Sequence, residues 1–193
     1  MIHLKASQYR RMPWKNGLGE TTEIAVFPPD TGLESFDWRI SMARVSASGP
    51  FSVFPGIDRN LVVLSGGTLC LAIDGQASTP LDPLSPPYAF AGDAHTEATL
   101  IGADLVDFNV MTRRGRMTQQ VTRLTLQDHL TQHIDGDTTL LFCIGPEATI
   151  DTGRTRLILG PHDAILCDRT DAALAMSAPV TTALIRVDLT RLA

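Results

Sequence analysis

Short β-type segments, each closed by a turn, recur along this 193-residue chain, while helix signals are scarce. Residues 21–27 are rich in β formers and stop at Pro28-Pro29-Asp30-Thr31-Gly32. Residues 38–45 alternate between two faces: Arg39, Ser41, Ala43 and Val45 lie on one, and Trp38, Ile40, Met42 and Arg44 on the other. Residues 61–64 read as a buried strand stopped by Ser65-Gly66-Gly67, and residues 68–73 run into Asp74-Gly75, a hairpin signal. Residues 100–101 and 106–111 continue the series. Many short strands with frequent turns predict an all-β sandwich or barrel. The best helical pattern covers 125–134, where Leu126, Leu130 and Ile134 fall at i, i+4 spacing before Asp135-Gly136-Asp137. One short helix is expected there, between two halves.

Those halves echo each other. Leu61-Val62-Val63-Leu64-Ser65-Gly66-Gly67, a hairpin, residues 81–84 and Pro87-Tyr88-Ala89-Phe90 form one series. Leu140-Leu141-Phe142-Cys143-Ile144-Gly145-Pro146, Asp151-Thr152-Gly153, Leu157-Ile158-Leu159-Gly160-Pro161 and Ala164-Ile165-Leu166 form the other. The long period predicts a duplicated domain, not a solenoid.

Composition narrows the function classes. A formal charge of −5 argues against a nucleic-acid partner, which needs a basic face. Arginine supplies nearly all positive charge, with lysine only at Lys5 and Lys15. Arginine suits bidentate pairing with carboxylate or phosphate, although GC-rich coding gives the same bias. Cys70, Cys143 and Cys167 include no C-x-x-C pair and sit among aliphatic residues, as buried reduced thiols do. No secretory leader and no membrane-length apolar run is evident, so a soluble cytoplasmic protein is expected, without a membrane partner.

Four polar blocks interrupt the strands. They are Trp14-Lys15-Asn16-Gly17-Leu18-Gly19, Phe36-Asp37-Trp38-Arg39-Ile40-Ser41, Gly49-Pro50-Phe51-Ser52-Val53-Phe54-Pro55-Gly56-Ile57-Asp58-Arg59 and Asp107-Phe108-Asn109-Val110-Met111-Thr112-Arg113-Arg114-Gly115. Present in this order, they resemble the HutD/Ves family over most of residues 9–116, departing from it at Leu18, which interrupts the family's glycine triplet. The resemblance implies cupin-type jelly-roll barrels, two in one chain (a bicupin), with at most one or two short helices. Residues 1–118 would form the first barrel with an N-terminal arm and the ligand pocket, and 119–193 a second, degenerate barrel packed on it. It also implies a link to regulation of histidine utilisation, or to cold and stress response. Binding of a small carboxylate of urocanate, formylglutamate or formiminoglutamate type is implied, rather than catalysis of a step.

Catalytic cupins hold a metal through a His-x-His strand motif with a glutamate and a later histidine. Residues 49–67 contain no histidine, and His95 alone cannot supply the roughly three protein ligands such a site needs. His129 and His133 lie four apart on the expected helix without an accompanying glutamate, so a solvated face is the better reading. No metal or other cofactor is expected. No nucleophile motif or phosphate loop is evident either.

Anion recognition remains. Arg39 lies mid-strand among apolar residues, so it must find a counter-charge or an opening. Arg59 follows a Pro-Gly turn beside Asp58. Asp107 and Asn109 share one strand face, which in a small barrel can look into the lumen. The candidate ligand-binding set is Trp14, Lys15, Asn16, Arg39, Ser41, Phe51, Arg59, Asp107 and Asn109. The arginines would hold a carboxylate, Lys15 and Asn16 would close the mouth, and Trp14 or Phe51 would supply apolar wall. The competing reading is internal ion pairing of Arg39 or Arg59 with Asp107 or Glu23. Arg113, Arg114 and Arg116 read as a solvated strand exit or as part of the rim. Two other functions compete with binding: a metal-independent isomerase using Asp107 or Glu23 as base, and an interaction module with a vestigial pocket. Free edge strands also offer a route to a homodimer.

Overall fold

The computed structural model describes residues 1–14, 19–169 and 173–193. A short strand β1 (Ile2–Leu4) and a 3-10 turn (Ala6–Gln8) open the chain. Ten strands follow: β2 (Arg10–Pro13), β3 (Gly19–Phe27), β4 (Trp38–Val45), β5 (Gly49–Pro50), β6 (Ile57–Ser65), β7 (Thr68–Ile73), β8 (Thr79–Leu81), β9 (Tyr88–Ala91), β10 (Thr96–Ile101) and β11 (Leu105–Arg113). The remainder holds β12 (Met117–Leu126), β13 (His129–His133), β14 (Thr138–Cys143), β15 (Ala148–Asp151), β16 (Arg156–Leu159), β17 (Ala164–Asp168), β18 (Ala173–Ser177) and β19 (Thr182–Arg191). No α-helix occurs among the described residues, and none of their helices is long and apolar enough to cross a membrane.

The chain divides into two compact units. The unit of Arg10–Met117 has a six-stranded sheet, β2-β3-β4-β11-β6-β9, and a four-stranded sheet, β5-β10-β7-β8. Val45, Leu61, Val63 and Leu105 of the larger sheet pack with Leu69, Leu71, Leu81 and Ala98 of the smaller, closing one apolar core. Each buried Val or Leu contributes about 1.5–3 kcal/mol, so this seam holds the two sheets together. The segments 21–27, 38–45, 61–64, 68–73, 100–101 and 106–111 fall inside these strands, whereas of 81–84 only Leu81 does, and the hairpin at Asp74-Gly75 forms with both residues at positive φ.

The second unit combines Met1–Tyr9 with Thr118–Ala193, in sheets β1-β17-β14-β19-β12 and β13-β18-β15-β16. Its first nine residues depart from the expected 1–118 and 119–193 division. β1 pairs with β17, setting Ile2 opposite Leu166. The Tyr9 hydroxyl donates to the carbonyls of Leu4 (3.1 Å) and His162 (2.9 Å), and the Ala6 amide donates to Asp163 Oδ1 at 2.8 Å. A three-residue strand paired across the length of the chain leaves no local trace in the sequence. Cys143 and Cys167 are buried free thiols within this unit's core, and burial pushes the Cys143 thiol up to about 11.

The helix expected over 125–134 does not form. Those residues are the end of β12, a break at Asp128 (φ 59°) and β13. Residues four apart share a face in a strand as well as in a helix, so the i, i+4 spacing of Leu126, Leu130 and Ile134 did not discriminate. All three pack on the same core. His129 and His133 are exposed on the edge strand β13.

Candidate functional site

Register in the six-stranded sheet decides which polar side chains meet. Arg39 on β4, Met111 on β11, Arg59 on β6 and Phe90 on β9 stand in one cross-strand row. The next inward-facing row runs Glu23, Ser41, Asn109, Leu61, and the one beyond it Thr21, Ala43, Asp107, Val63. Side chains two apart point the same way, so three consecutive rows deliver two arginines, two carboxylates and an amide to one face. That face borders a cavity of about 460 Å³ in the Arg10–Met117 unit.

Trp14, Arg39, Ser41, Phe51, Arg59, Asp107 and Asn109 all line this cavity. Lys15 and Asn16 lie outside the described residues. The loop after β4 completes the wall with Ala47, Ser48, Pro50, Ser52 and Phe54. It is held by the Phe51 amide donating to the Thr96 carbonyl (2.9 Å) and the Phe54 amide donating to the Gly92 carbonyl (2.8 Å).

Arg59 is 7% exposed and sits among aromatic rings, its guanidinium carbon 4.9 Å from the Phe51 ring, 5.0 Å from Phe90 and 5.7 Å from Phe54. Cation–π attraction offsets part of the cost of desolvating this charge. Gly92 gives room for its stem, because a Cβ there would meet the Arg59 methylenes and the Ile57 carbonyl. Nη2 of Arg59 donates to Asn109 Oδ1 at 2.6 Å, and Nδ2 of Asn109 donates to Asp107 Oδ1 at 2.8 Å. The Nε of Arg59 is buried with no hydrogen-bond partner among the described residues. Burial pulls the guanidinium down to about 10, opposed by Asp107 and reinforced by Arg39, so it stays charged at neutral pH.

Asp107 is 1% exposed, and burial raises its carboxyl to about 6 against the opposing pull of Arg59, Asn109 and the Ala43 backbone. Arg39 Nε donates to Glu23 Oε2 at 2.7 Å, so the internal ion pairing weighed from the sequence is present for Arg39. Arg59 reaches Asp107 only through Asn109. Trp14 is fixed by its indole N–H donating to Thr21 Oγ1 at 2.8 Å, and its ring packs so tightly on Gly19 that no Cβ fits there.

Thr21, Phe90 and Met111 reach the site through strand register, and Phe54 through the loop between β5 and β6, none of them singled out from sequence. The second phenylalanine of Phe51-Ser52-Val53-Phe54 was the one local hint. The arginines at the end of β11 form ion pairs and hydrogen bonds, and Arg114 and Arg116 remain solvent-exposed, as a solvated exit would be. Arg113 donates to the Phe36 and Glu34 carbonyls, Arg114 pairs with Asp58 and Asp93, and Arg116 pairs with Asp37 at 3.0 Å. His95 is exposed beside Glu97, away from the cavity.

The pocket's two-sheet frame recurs among known proteins. A cupin 2 conserved barrel domain protein from Leptotrichia buccalis superposes over 97% of this chain and 100% of its own with a TM-score of 0.60 at 8% identity, which shows a cupin-type fold. A conserved protein from Pseudomonas aeruginosa PAO1 superposes over 98% of both chains with a TM-score of 0.91 at 36% identity. HutD from Pseudomonas fluorescens SBW25 covers 100% of this chain and 99% of its own, with a TM-score of 0.83 at 32% identity. A Pseudomonas putida protein from the hutC 3′ region is 34% identical over 174 residues, 90% of each chain. Protein Ves of Citrobacter koseri is 43% identical over 117 residues, 58% of this chain and 59% of its own. The HutD family model matches residues 6–185, nearly the whole of both units, and the chain belongs to the HutD family.

Proposed function

We propose that the cavity of the Arg10–Met117 unit binds a small carboxylated metabolite, of urocanate, formylglutamate or formiminoglutamate type. On this reading the protein regulates histidine utilisation in the cytoplasm by binding, without bond chemistry. One observation carries it: Arg59 is a buried, charged guanidinium at the cavity wall whose Nε has no hydrogen-bond partner among the described residues. Such a group is costly unless an acceptor reaches it, and a carboxylate is the acceptor whose geometry fits a guanidinium edge. The buried arginine of the other unit makes the contrast. Arg186 donates through all three nitrogens, to Asp188, Asp135, Gln132 and the His133 carbonyl, so each nitrogen has an acceptor within the protein. The Pseudomonas fluorescens HutD structure is of a formate condition, which makes formate a convenient minimal probe. Formate, urocanate and N-formylglutamate should each raise the melting temperature of the protein saturably, by mass action on the folded state. Arg59→Ala should lose that shift. A panel of such acids that leaves the parent's melting temperature unmoved removes the proposal.

Asp107 supports a second reading, a metal-independent isomerase. A buried carboxyl near pH 6 at a cavity wall is suited to act as a general base. In deuterated water such a base would exchange the α-protons of a bound acid, a reaction visible by proton NMR. The binding reading predicts no exchange above the protein-free rate.

A further inference from the structure

The cavity wall carries an obligate acceptor as well as a cation. We infer that the ligand of this pocket is two-ended, with its carboxylate on Arg59 and an N–H or O–H group, a short spacer away, donating to the carboxylate of Asp107. The inference rests on the cavity being a carboxylate site.

The wiring of the polar groups leads there. Asn109 is committed at both ends, its Oδ1 to Arg59 and its Nδ2 to Asp107. It cannot turn towards a ligand without breaking one of these bonds. The hydroxyls of Ser41, Ser48 and Ser52 at the wall both donate and accept, so they cannot tell a donor from an acceptor. Asp107, when ionised, only accepts. A carboxylate has about four acceptor positions, and among the described residues the Asn109 amide and the Ala43 backbone N–H are the hydrogen-bond donors to Asp107. A monofunctional acid on Arg59 would bring a second negative charge near Asp107 and give it nothing in return. An acid that also carries a donor fills the vacant acceptor positions. The separation is short, since one carboxamide and two hydrogen bonds connect the Arg59 and Asp107 head groups.

Matched ligand pairs differing at one donor test this by calorimetry. N-formylglutamate is compared with O-formyl-2-hydroxyglutarate, and urocanate with 3-(1,3-oxazol-4-yl)acrylate. In the parent, the N–H member of a pair should bind at least about tenfold tighter, because its partner leaves the buried acceptor unfilled. Asp107→Asn should shrink that ratio to a few-fold. Arg59→Lys should weaken both members together and preserve the ratio, which separates the two ends of the site. Equal binding of both members in both pairs overturns the two-ended ligand while leaving carboxylate binding intact. An unchanged ratio in a folded Asp107→Asn variant overturns the assignment of the acceptor. Failure of all four acids to bind overturns this inference and the binding reading with it. The parent ratios need no variant, so the test survives if Asp107→Asn does not fold.

Discussion

Arg59 and Asp107 carry opposite consequences of the same burial. Asp107 is raised to about 6 in the fold and lies near 3.8 when unfolded. Between those values the folded protein holds a proton that the unfolded chain has released. Its contribution to stability is therefore largest at low pH and is lost as pH rises to about 6. The stability of the parent relative to Asp107→Asn should fall by about 1–3 kcal/mol between about pH 4 and pH 7. Urea denaturation at both pH values measures it, and a constant difference would contradict the raised carboxyl. Arg39, Arg59, Asp107 and Asn109 were legible because charged or amide side chains mid-strand demand partners. How they pair was not legible. Choosing Glu23 for Arg39, and Asn109 as the link from Arg59 to Asp107, requires register, which no local pattern states.

At the scale of elements, turns fix register and register fixes the pocket. Gly66 (φ 98°) sits where a Cβ would collide with the Asp104 carbonyl and the Leu105 backbone, between β6 and β11. Gly75 also has a positive φ, 72°, but its Cβ would meet open space. Gly66→Ala should cost well over 2 kcal/mol, combining strain with a backbone clash, while Gly75→Ala should cost about 1–2 kcal/mol from φ alone. Thermal denaturation of the two variants separates them, and equal losses would refute the account of the Gly66 turn. Strands bounded by such turns were readable from sequence because period-2 alternation and Gly or Asn/Asp punctuation agree. The expected helix over 125–134 failed because the spacing of Leu126, Leu130 and Ile134 suits both periods, and Asp128 interrupts a strand instead of starting a turn of helix.

Across the whole molecule, two units with related architecture treat a buried arginine differently. Arg186 has an acceptor at each nitrogen; Arg59 keeps a nitrogen without a partner among the described residues. Removing one member of a buried, hydrogen-bonded pair typically costs about 3–5 kcal/mol. Arg186→Ala should lower stability by that order while leaving carboxylate affinity, measured well below the melting temperature, unchanged. Arg59→Ala should abolish binding, and because it takes the cation from Asn109 and the buried Asp107 it should lower stability as well. Loss of affinity in folded Arg186→Ala would mean that function is not confined to the unit holding the cavity. The second half lacks the Arg/Asn-rich blocks of the first, which is why the sequence directs the proposed binding to the first, but the N-terminal nine residues that join the second half were not foreseen. The measurement that bears most directly on this account is a crystal structure of the protein with N-formylglutamate. The account predicts a ligand carboxylate oxygen within hydrogen-bond distance of the Arg59 guanidinium; a ligand bound elsewhere, or a cavity left without it at saturating concentration, would contradict it.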